Sequence, residues 1–235
     1  MFKNLNVGAI GHKATFEETV KLASEYGFAG VDADLGYAKE KGAAEVKALL
    51  AKHKLKLGGF GLGVRWREGD SDRDYAESLA NFVNDCKIAA ELGVTRCNTW
   101  VMPASNKLTY QQYFDMFVTR MKPVAQILKG FGQSIGLEFI GPRTIRASHK
   151  HGFIYTMDGM RATAAAIGTG NVGFLLDCWH WYTAQSTVTD IEQLDPKEVV
   201  YVHINDAPKG IHVNDQQDGT RELPGTDVID RKSVV

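Results

Sequence analysis

Seven short, mostly apolar runs recur along the chain and are separated by amphipathic stretches. They lie at residues 5–10, 30–35, 55–63, 95–102, 134–140, 171–178 and 199–206. Several are apolar at nearly every position, which is typical of parallel strands that are covered on both faces. A strand followed by a helix, repeated in one order, predicts a parallel sheet with right-handed crossovers.

The stretches between these runs carry helix signals. Thr15 and Glu18 form a capping box before an apolar stripe, and residues 74–93 place apolar side chains on one helical face. Residues 110–129 also have a helical pattern, but we expect Pro123 to kink or interrupt that helix because proline lacks the backbone N–H.

The repeat favours an α/β fold of the TIM type, a (β/α) barrel that forms a single domain over residues 1–235. An open doubly wound sheet is the alternative. We prefer the barrel because the units keep repeating and no glycine-rich phosphate turn follows the first strand. The segment GGFGLG at 58–63 is not a GxGxxG motif.

The residues after Asp206 are too few for a further helix, strand and closing helix, so the barrel is expected to be truncated after the seventh strand. Open strand edges favour pairing with another chain, which makes a homo-oligomer or a monomer of low stability the expected outcome. The tail from Leu223 to Val235 is expected to be loosely attached, because its last five residues, RKSVV, are too short for a stable helix.

Charge and composition limit the classes of partner. The formal net charge is −1 and the pI is about 6.7, so no basic excess attracts nucleic acid or an anionic membrane surface. No apolar run approaches the roughly 20 residues of a membrane span. The three cysteines lack CxxC spacing, which is typical of reduced thiols in a cytoplasmic protein.

Three side chains with metal-binding chemistry fall at the ends of consecutive runs. Glu138 lies near the end of the fifth, Asp177 ends the sixth, and His203 lies in the seventh. Adjacent strands are about 4.8 Å apart, so these side chains can converge where a βα barrel carries its chemistry. Each alone is more often a salt-bridged or core residue. Together they are a suitable ligand set for one divalent metal ion.

Further residues near the strand ends are candidates for substrate contact. His180 follows Asp177 by three positions and could bind substrate or orient a metal ligand. Four tryptophans could form apolar walls around a sugar, although tryptophans at such positions are equally often part of ordinary core packing. They are Trp66, Trp100, Trp179 and Trp181. Positively charged side chains in loops usually contact only solvent, but three of them could hold a phosphate or carboxylate of a substrate. They are Arg143, Arg146 and Lys209.

The segments GLEFIGP, LLDCWHWY and VHINDAP resemble those of the xylose isomerase-like barrel superfamily, most closely its sugar phosphate isomerase/epimerase branch. The resemblance implies that Glu138, Asp177 and His203 bind Mn²⁺, Mg²⁺, Co²⁺ or Zn²⁺, and that His180 contacts a small-molecule sugar or sugar phosphate. Glu138 matches the glutamate that removes the proton next to the carbonyl. The second glutamate of such epimerases has no matching position; Glu222 is the nearest candidate.

Other functions stay open at this point. Keto-inositol dehydratases share the scaffold, and a non-catalytic sugar-binding protein would retain the same pocket. AP endonucleases carry similar motifs, but their trinuclear site needs more histidines at the earlier strand ends. Residues 59–63 and 98–103 offer none.

Overall fold

The computed structural model describes residues 1–230. Its strands are β1 (Asn4–Leu5), β2 (Gly30–Val31), β3 (Lys56–Leu57), β4 (Phe60–Gly61), β5 (Arg96–Val101), β6 (Ala104–Ser105), β7 (Ser134–Phe139), β8 (His151–Gly152), β9 (Val172–Asp177) and β10 (Val199–His203). Its helices are α1 (Phe16–Glu25), α2 (Leu35–Lys41), α3 (Ala43–His53), α4 (Asp72–Glu91), α5 (Tyr110–Gly130), α6 (Arg143–Ala147), α7 (Met157–Ile167), α8 (Cys178–Thr183) and α9 (Val188–Glu192).

Parallel strands form the centre of the fold. One sheet has the order β1-β2-β3 and the other the order β10-β9-β7-β5-β4, while β6 and β8 form a separate antiparallel pair. The third apolar run supplies both β3 and β4, and Gly58 and Gly59 join the two sheets. Ala33 N donates to Gly59 O at 2.8 Å, so backbone pairing continues across this junction. The seven runs thus occupy successive positions in a curled parallel sheet, and the TIM-type α/β fold is confirmed.

Polar side chains inside the curl connect its first and last strands. The Tyr201 hydroxyl on β10 donates to Asp32 Oδ1 at 2.6 Å, and Asn4 Nδ2 on β1 donates to both groups at 3.0 and 2.7 Å. A Cβ on Gly58 would lie 2.8 Å from both the Asp32 carboxylate and the Tyr201 hydroxyl, so only glycine fits there. Burial and the neighbouring Asp32 raise the pKa of Tyr201 above its ordinary value, which keeps the phenol protonated as a donor.

One local prediction was wrong, and the interruption expected at Pro123 does not occur. The first run forms a strand over only two residues and then a 3₁₀ turn at Gly8–Ile10. Helix α5 runs without a break through Pro123, because buried side chains on both sides of the proline pack against the core; they are Phe117, Met121, Val124 and Leu128. The capping box of α1 is confirmed, with Thr15 accepting from Glu18 N and the Glu18 carboxylate accepting from Thr15 N.

The helices cover the outer face of the sheet with their apolar sides. Trp66 packs edge-on against Phe117 with 5.0 Å between ring centroids, and Tyr113 stacks on Phe153 at 4.1 Å. The cysteines Cys86, Cys97 and Cys178 are buried free thiols. In residues 1–230, no helix combines the length and apolar character that crossing a membrane requires.

A single carboxylate anchors the segment that follows β10. Asp206 accepts from five backbone N–H groups at 2.9–3.3 Å, those of Ala207, Gly225, Asp227, Val228 and Ile229. Ile229 is buried. The expectation of a loosely attached tail is therefore wrong for residues 225–229. The last five residues, RKSVV, lie outside the described part of the chain.

We predict that Asp206→Ala lowers the free energy of unfolding by about 3 kcal/mol, because it leaves several backbone donors without an acceptor. Asp206→Asn should cost less, since the amide keeps one acceptor oxygen. Burial opposes ionisation, but the hydrogen bonds outweigh it and hold the pKa of Asp206 below its ordinary 3.8. The stabilisation is therefore present above that pH and is lost as the pH falls.

Urea unfolding of both variants and the parent at pH 7 and at pH 3 measures this effect. The difference between parent and Asp206→Ala should be smaller at pH 3. A difference that stays constant with pH would show that the Asp206 charge does not hold the segment.

Candidate metal centre

Three strand ends bring the metal-ligand candidates together. In the β9–β10 register His203 lies opposite Asp177, and Glu138 occupies β7 on the other side of β9. His203 Nδ1 lies 3.1 Å from Glu138 Oε1 and 3.6 Å from Asp177 Oδ2. Side chains that are far apart in the sequence thus converge at one edge of the sheet, as the strand-end argument predicts.

These separations suit a shared cation. Donor atoms that lie 2.0–2.2 Å from one ion at angles near 90–110° are about 3–3.6 Å apart from each other. A second combination is also compact, since donor atoms of Glu138, Asp177 and His180 lie within 4.8 Å of one another. Two carboxylates with one or two imidazoles form a mixed oxygen and nitrogen donor set, which divalent transition ions accept.

The electrostatics of the cluster show why it requires positive charge. Burial disfavours the Asp177 anion, but the hydrogen bond with His203 and the positive charge of Arg221 hold the pKa of Asp177 well below its usual range. Burial disfavours the His203 cation, but hydrogen bonds to Asp177 and Glu138 raise the pKa of His203 to about 10. A proton on His203 and a divalent cation are thus two ways to neutralise the same carboxylates.

His180 owes its position to the junction between β9 and α8. Asp177 ends the strand and caps the helix, accepting from Trp179 N at 2.7 Å. One turn later, the His180 ring is fully buried, and its Nδ1 accepts from Gly141 N at 3.2 Å. Burial lowers the pKa of His180, so the ring is neutral. The ring is fully enclosed and its Nε2 lies 3.1 Å from Arg221 Nη2, so His180 contacts Arg221 and presents no free donor to the cavity.

Arg221 is a site residue that the sequence analysis missed. Its Nη1 donates to Asp177 Oδ2 at 3.2 Å, its Nη2 lies 3.1 Å from His180 Nε2, and Asp218 Oδ1 accepts from Nη2 at 2.7 Å. A backbone bridge closes the loop that carries it, with Asp206 N donating to Glu222 O at 2.8 Å and Glu222 N donating to Asp206 O at 2.9 Å. No local pattern marks Arg221, since its place depends on this loop closure.

Asn205 was also missed. Its Nδ2 donates to both Asp177 oxygens, at 3.1 and 3.3 Å. This amide helps to fix the carboxylate that already caps α8. The signal was present in the sequence, because Asn205 follows His203 by two positions and so lies just beyond the same strand end.

The other candidates have different surroundings. Trp100 is 43% exposed and lines an open cavity of about 540 Å³ together with Glu138 and His203. Trp179 is 0% exposed, so its ring supports the site from below and has no surface for a sugar. Arg143, at the start of α6, and Lys209, on the loop after β10, are exposed. Three further candidates are committed to protein contacts: Trp66 and Trp181 are buried, and Arg146 donates to Gly141 O and stacks on Tyr155 at 3.6 Å.

Comparison with known proteins identifies the fold family. A family model described as a xylose isomerase-like TIM barrel matches residues 20–235. The chain belongs to the xylose isomerase-like TIM barrel family. A solved xylose isomerase domain protein from Alicyclobacillus acidocaldarius is 30% identical, with a TM-score of 0.86 over 94% of this chain and 78% of the other.

More distant similarities include proteins with a named activity or a bound ligand. The IolI protein, solved with a bound zinc atom, has a TM-score of 0.79 and 18% identity over 99% of this chain and 82% of its own. An inosose isomerase from Halalkalibacterium halodurans is 23% identical over 193 residues, which are 82% of this chain. The match spans only 65% of the length of that isomerase.

We predict that Gly141→Ala displaces His180 and lowers the free energy of unfolding by about 1–3 kcal/mol through overpacking. A Cβ at Gly141 would lie 2.2 Å from His180 O and 2.5 Å from Thr183 Oγ1. Gly130→Ala is the matched control, because a Cβ there meets nothing within 4 Å. Thermal unfolding of both variants measures the difference, and equal stability would contradict the close approach of Gly141 to α8.

Proposed function

We propose that this protein is a metal-dependent isomerase or epimerase of sugars or sugar phosphates. The observation that carries the proposal is the convergence of Glu138, Asp177 and His203, with donor atoms 3.1 and 3.6 Å apart, at one end of a TIM-type sheet. The zinc atom bound to the structurally similar IolI protein supports metal binding by this type of barrel. Inosose isomerases among the relatives support the reaction class.

Glu138, Asp177 and His203 would hold one divalent ion, Mn²⁺, Mg²⁺, Co²⁺ or Zn²⁺. When bound, such an ion supplies Lewis acidity that stabilises the enediolate formed next to the substrate carbonyl. Asn205, which donates to both Asp177 oxygens, keeps that ligand oriented. His203 must lose its proton to act as a ligand, so metal and proton compete for the same nitrogen.

Glu138 is the proposed catalytic base. Its carboxylate is 7% exposed and lines the open cavity next to Trp100, so it is shielded from water yet reaches the space where a sugar fits. It removes the proton from the carbon next to the carbonyl. The Arg221 guanidinium orients substrate oxygens, and His180, whose Nε2 lies 3.1 Å from Arg221 Nη2, holds that guanidinium in position. Trp100 offers an apolar face that excludes water from the reacting carbon.

The similarity to inosose isomerases favours a second substrate class for the same chemistry, a cyclic polyol ketone. Proton transfer next to a ring carbonyl needs the same base and the same metal ligands. Assays should therefore compare an open-chain ketose, its phosphate and an inosose. A protein that is stabilised by these ligands but converts none of them would be a sugar-binding protein.

We predict that Glu138→Gln lowers turnover by about 10²–10⁴-fold, the range for loss of a general base. Glutamine keeps one oxygen for the metal, so calorimetric titration with Mn²⁺ should still detect binding, although it is weaker. Glu77→Gln is the control, because Glu77 is 60% exposed on α4 and pairs only with Arg73 in the described structure. Unchanged turnover in Glu138→Gln would refute the assigned base.

We predict that His180→Ala retains the metal but loses sugar affinity or turnover, because Arg221 loses the buried ring that positions it. Mn²⁺ titration and ligand titration of the same variant separate the two roles. Loss of metal with unchanged sugar affinity would instead make His180 a ligand, as its compact grouping with Glu138 and Asp177 permits.

A further inference from the structure

Arg67 is a fixed cation on the wall of the cavity that holds Glu138 and His203. Its guanidinium lies 3.9 Å from the Trp100 ring centroid and 4.8 Å from that of Trp66. Its Nη2 donates to Thr99 Oγ1 at 3.3 Å and to Trp100 O at 3.2 Å. Two aromatic faces and two hydrogen bonds therefore hold the charge in one place.

The charge of Arg67 has no acidic partner in the described structure. No carboxylate in residues 1–230 lies within 4.0 Å of its guanidinium. Asp70 accepts from the backbone N–H of Arg67 at 2.8 Å but pairs its other oxygen with Arg65. Arg221, across the site, is neutralised by Asp177 and Asp218. A half-buried cation without a counter-ion is a binding position for an anion.

Arg67 also keeps donors available. Its side-chain hydrogen bonds use Nη2, while Nε is buried without an acceptor and Nη1 has no acceptor in the part of the chain that the structure describes. Nη1 therefore keeps both of its N–H groups for the oxygens of a phosphate or carboxylate. The cavity, at about 540 Å³, has room for a monosaccharide-sized ligand that reaches both Arg67 and the metal-ligand cluster.

We propose that Arg67 binds an anionic group of the substrate, a phosphate or a carboxylate, while the keto end lies at Glu138, Asp177 and His203. The placement of the keto end rests on the function proposed above. The substrate is then an acidic ketose or an acidic cyclic ketone. The exposed loop cations Arg143 and Lys209 have no part in recognising that charge.

Calorimetric titration of the Mn²⁺-loaded protein with D-fructose, D-fructuronate and D-fructose 6-phosphate tests the proposal. These probes share one ketose skeleton and differ in the group at one end. At least one charged probe should bind more tightly than fructose, and which one it is separates carboxylate from phosphate. If neither charged probe binds more tightly than fructose, the proposal is overturned.

Arg67→Met should weaken binding of the preferred charged probe by about 10–100-fold, the loss of a charge-assisted hydrogen-bonded pair, and leave the affinity for fructose unchanged. Arg143→Met and Lys209→Met are matched controls that should bind the charged probe like the parent. If either control loses that affinity while Arg67→Met keeps it, the charge is recognised on the loops and the proposal is wrong.

Arg67→Lys covers the case in which Arg67→Met does not fold. Lysine keeps the charge but not the fixed Nη1 donors, so it should lose part of the affinity for the charged probe and none for fructose; full retention of the charged-probe affinity overturns the proposal. Measuring turnover distinguishes a failure of this inference from a failure of the proposed function. Charge-dependent binding without turnover refutes the isomerase and leaves the Arg67 site intact. Turnover of fructose without charge preference refutes only the Arg67 site.

Discussion

Two carboxylates placed together at the edge of a sheet impose the main constraint on this structure. Glu138 and Asp177 are both buried, and their mutual repulsion in a region of low dielectric must be offset by positive charge. His203 contacts both of them, and Arg221 reaches Asp177 from a distant loop. The elements around the site hold these compensating groups in place, and a divalent ion held by the same oxygens would provide the same compensation.

The loop after β10 supplies part of the positive charge that the two carboxylates need. The Asp206 carboxylate accepts hydrogen bonds from backbone N–H groups in residues 225–229. The backbone of Asp206 also pairs with that of Glu222, and this pairing closes the loop that carries Arg221. The carboxylate fixes the place where the arginine enters the site. Stability and the arrangement of the site are therefore coupled through one hydrogen-bonded group.

The cavity has two differently charged walls. The strand ends β7, β9 and β10 provide the carboxylates and imidazoles, while the segment after β4 provides Arg67, stacked between Trp66 and Trp100. A candidate metal cluster that faces an uncompensated guanidinium suits the proposed substrate, which has a polar keto end and an acidic end. The same scaffold can thus keep one reaction and vary its substrate through residues on the earlier strand ends.

The sequence by itself determined the order of strands and helices and the main metal-ligand candidates. Apolar periodicity and helix caps depend on neighbouring residues, and a strand end places Glu138, Asp177 and His203 through the regular geometry of parallel strands. Only the tertiary structure decided the break of the third run at Gly58 and Gly59, which depends on contact with Asp32 and Tyr201. It also decided the positions of Arg67 and Arg221. Both arginines lie in irregular segments whose course is set by contacts between residues far apart in the chain, and no local pattern carries that information.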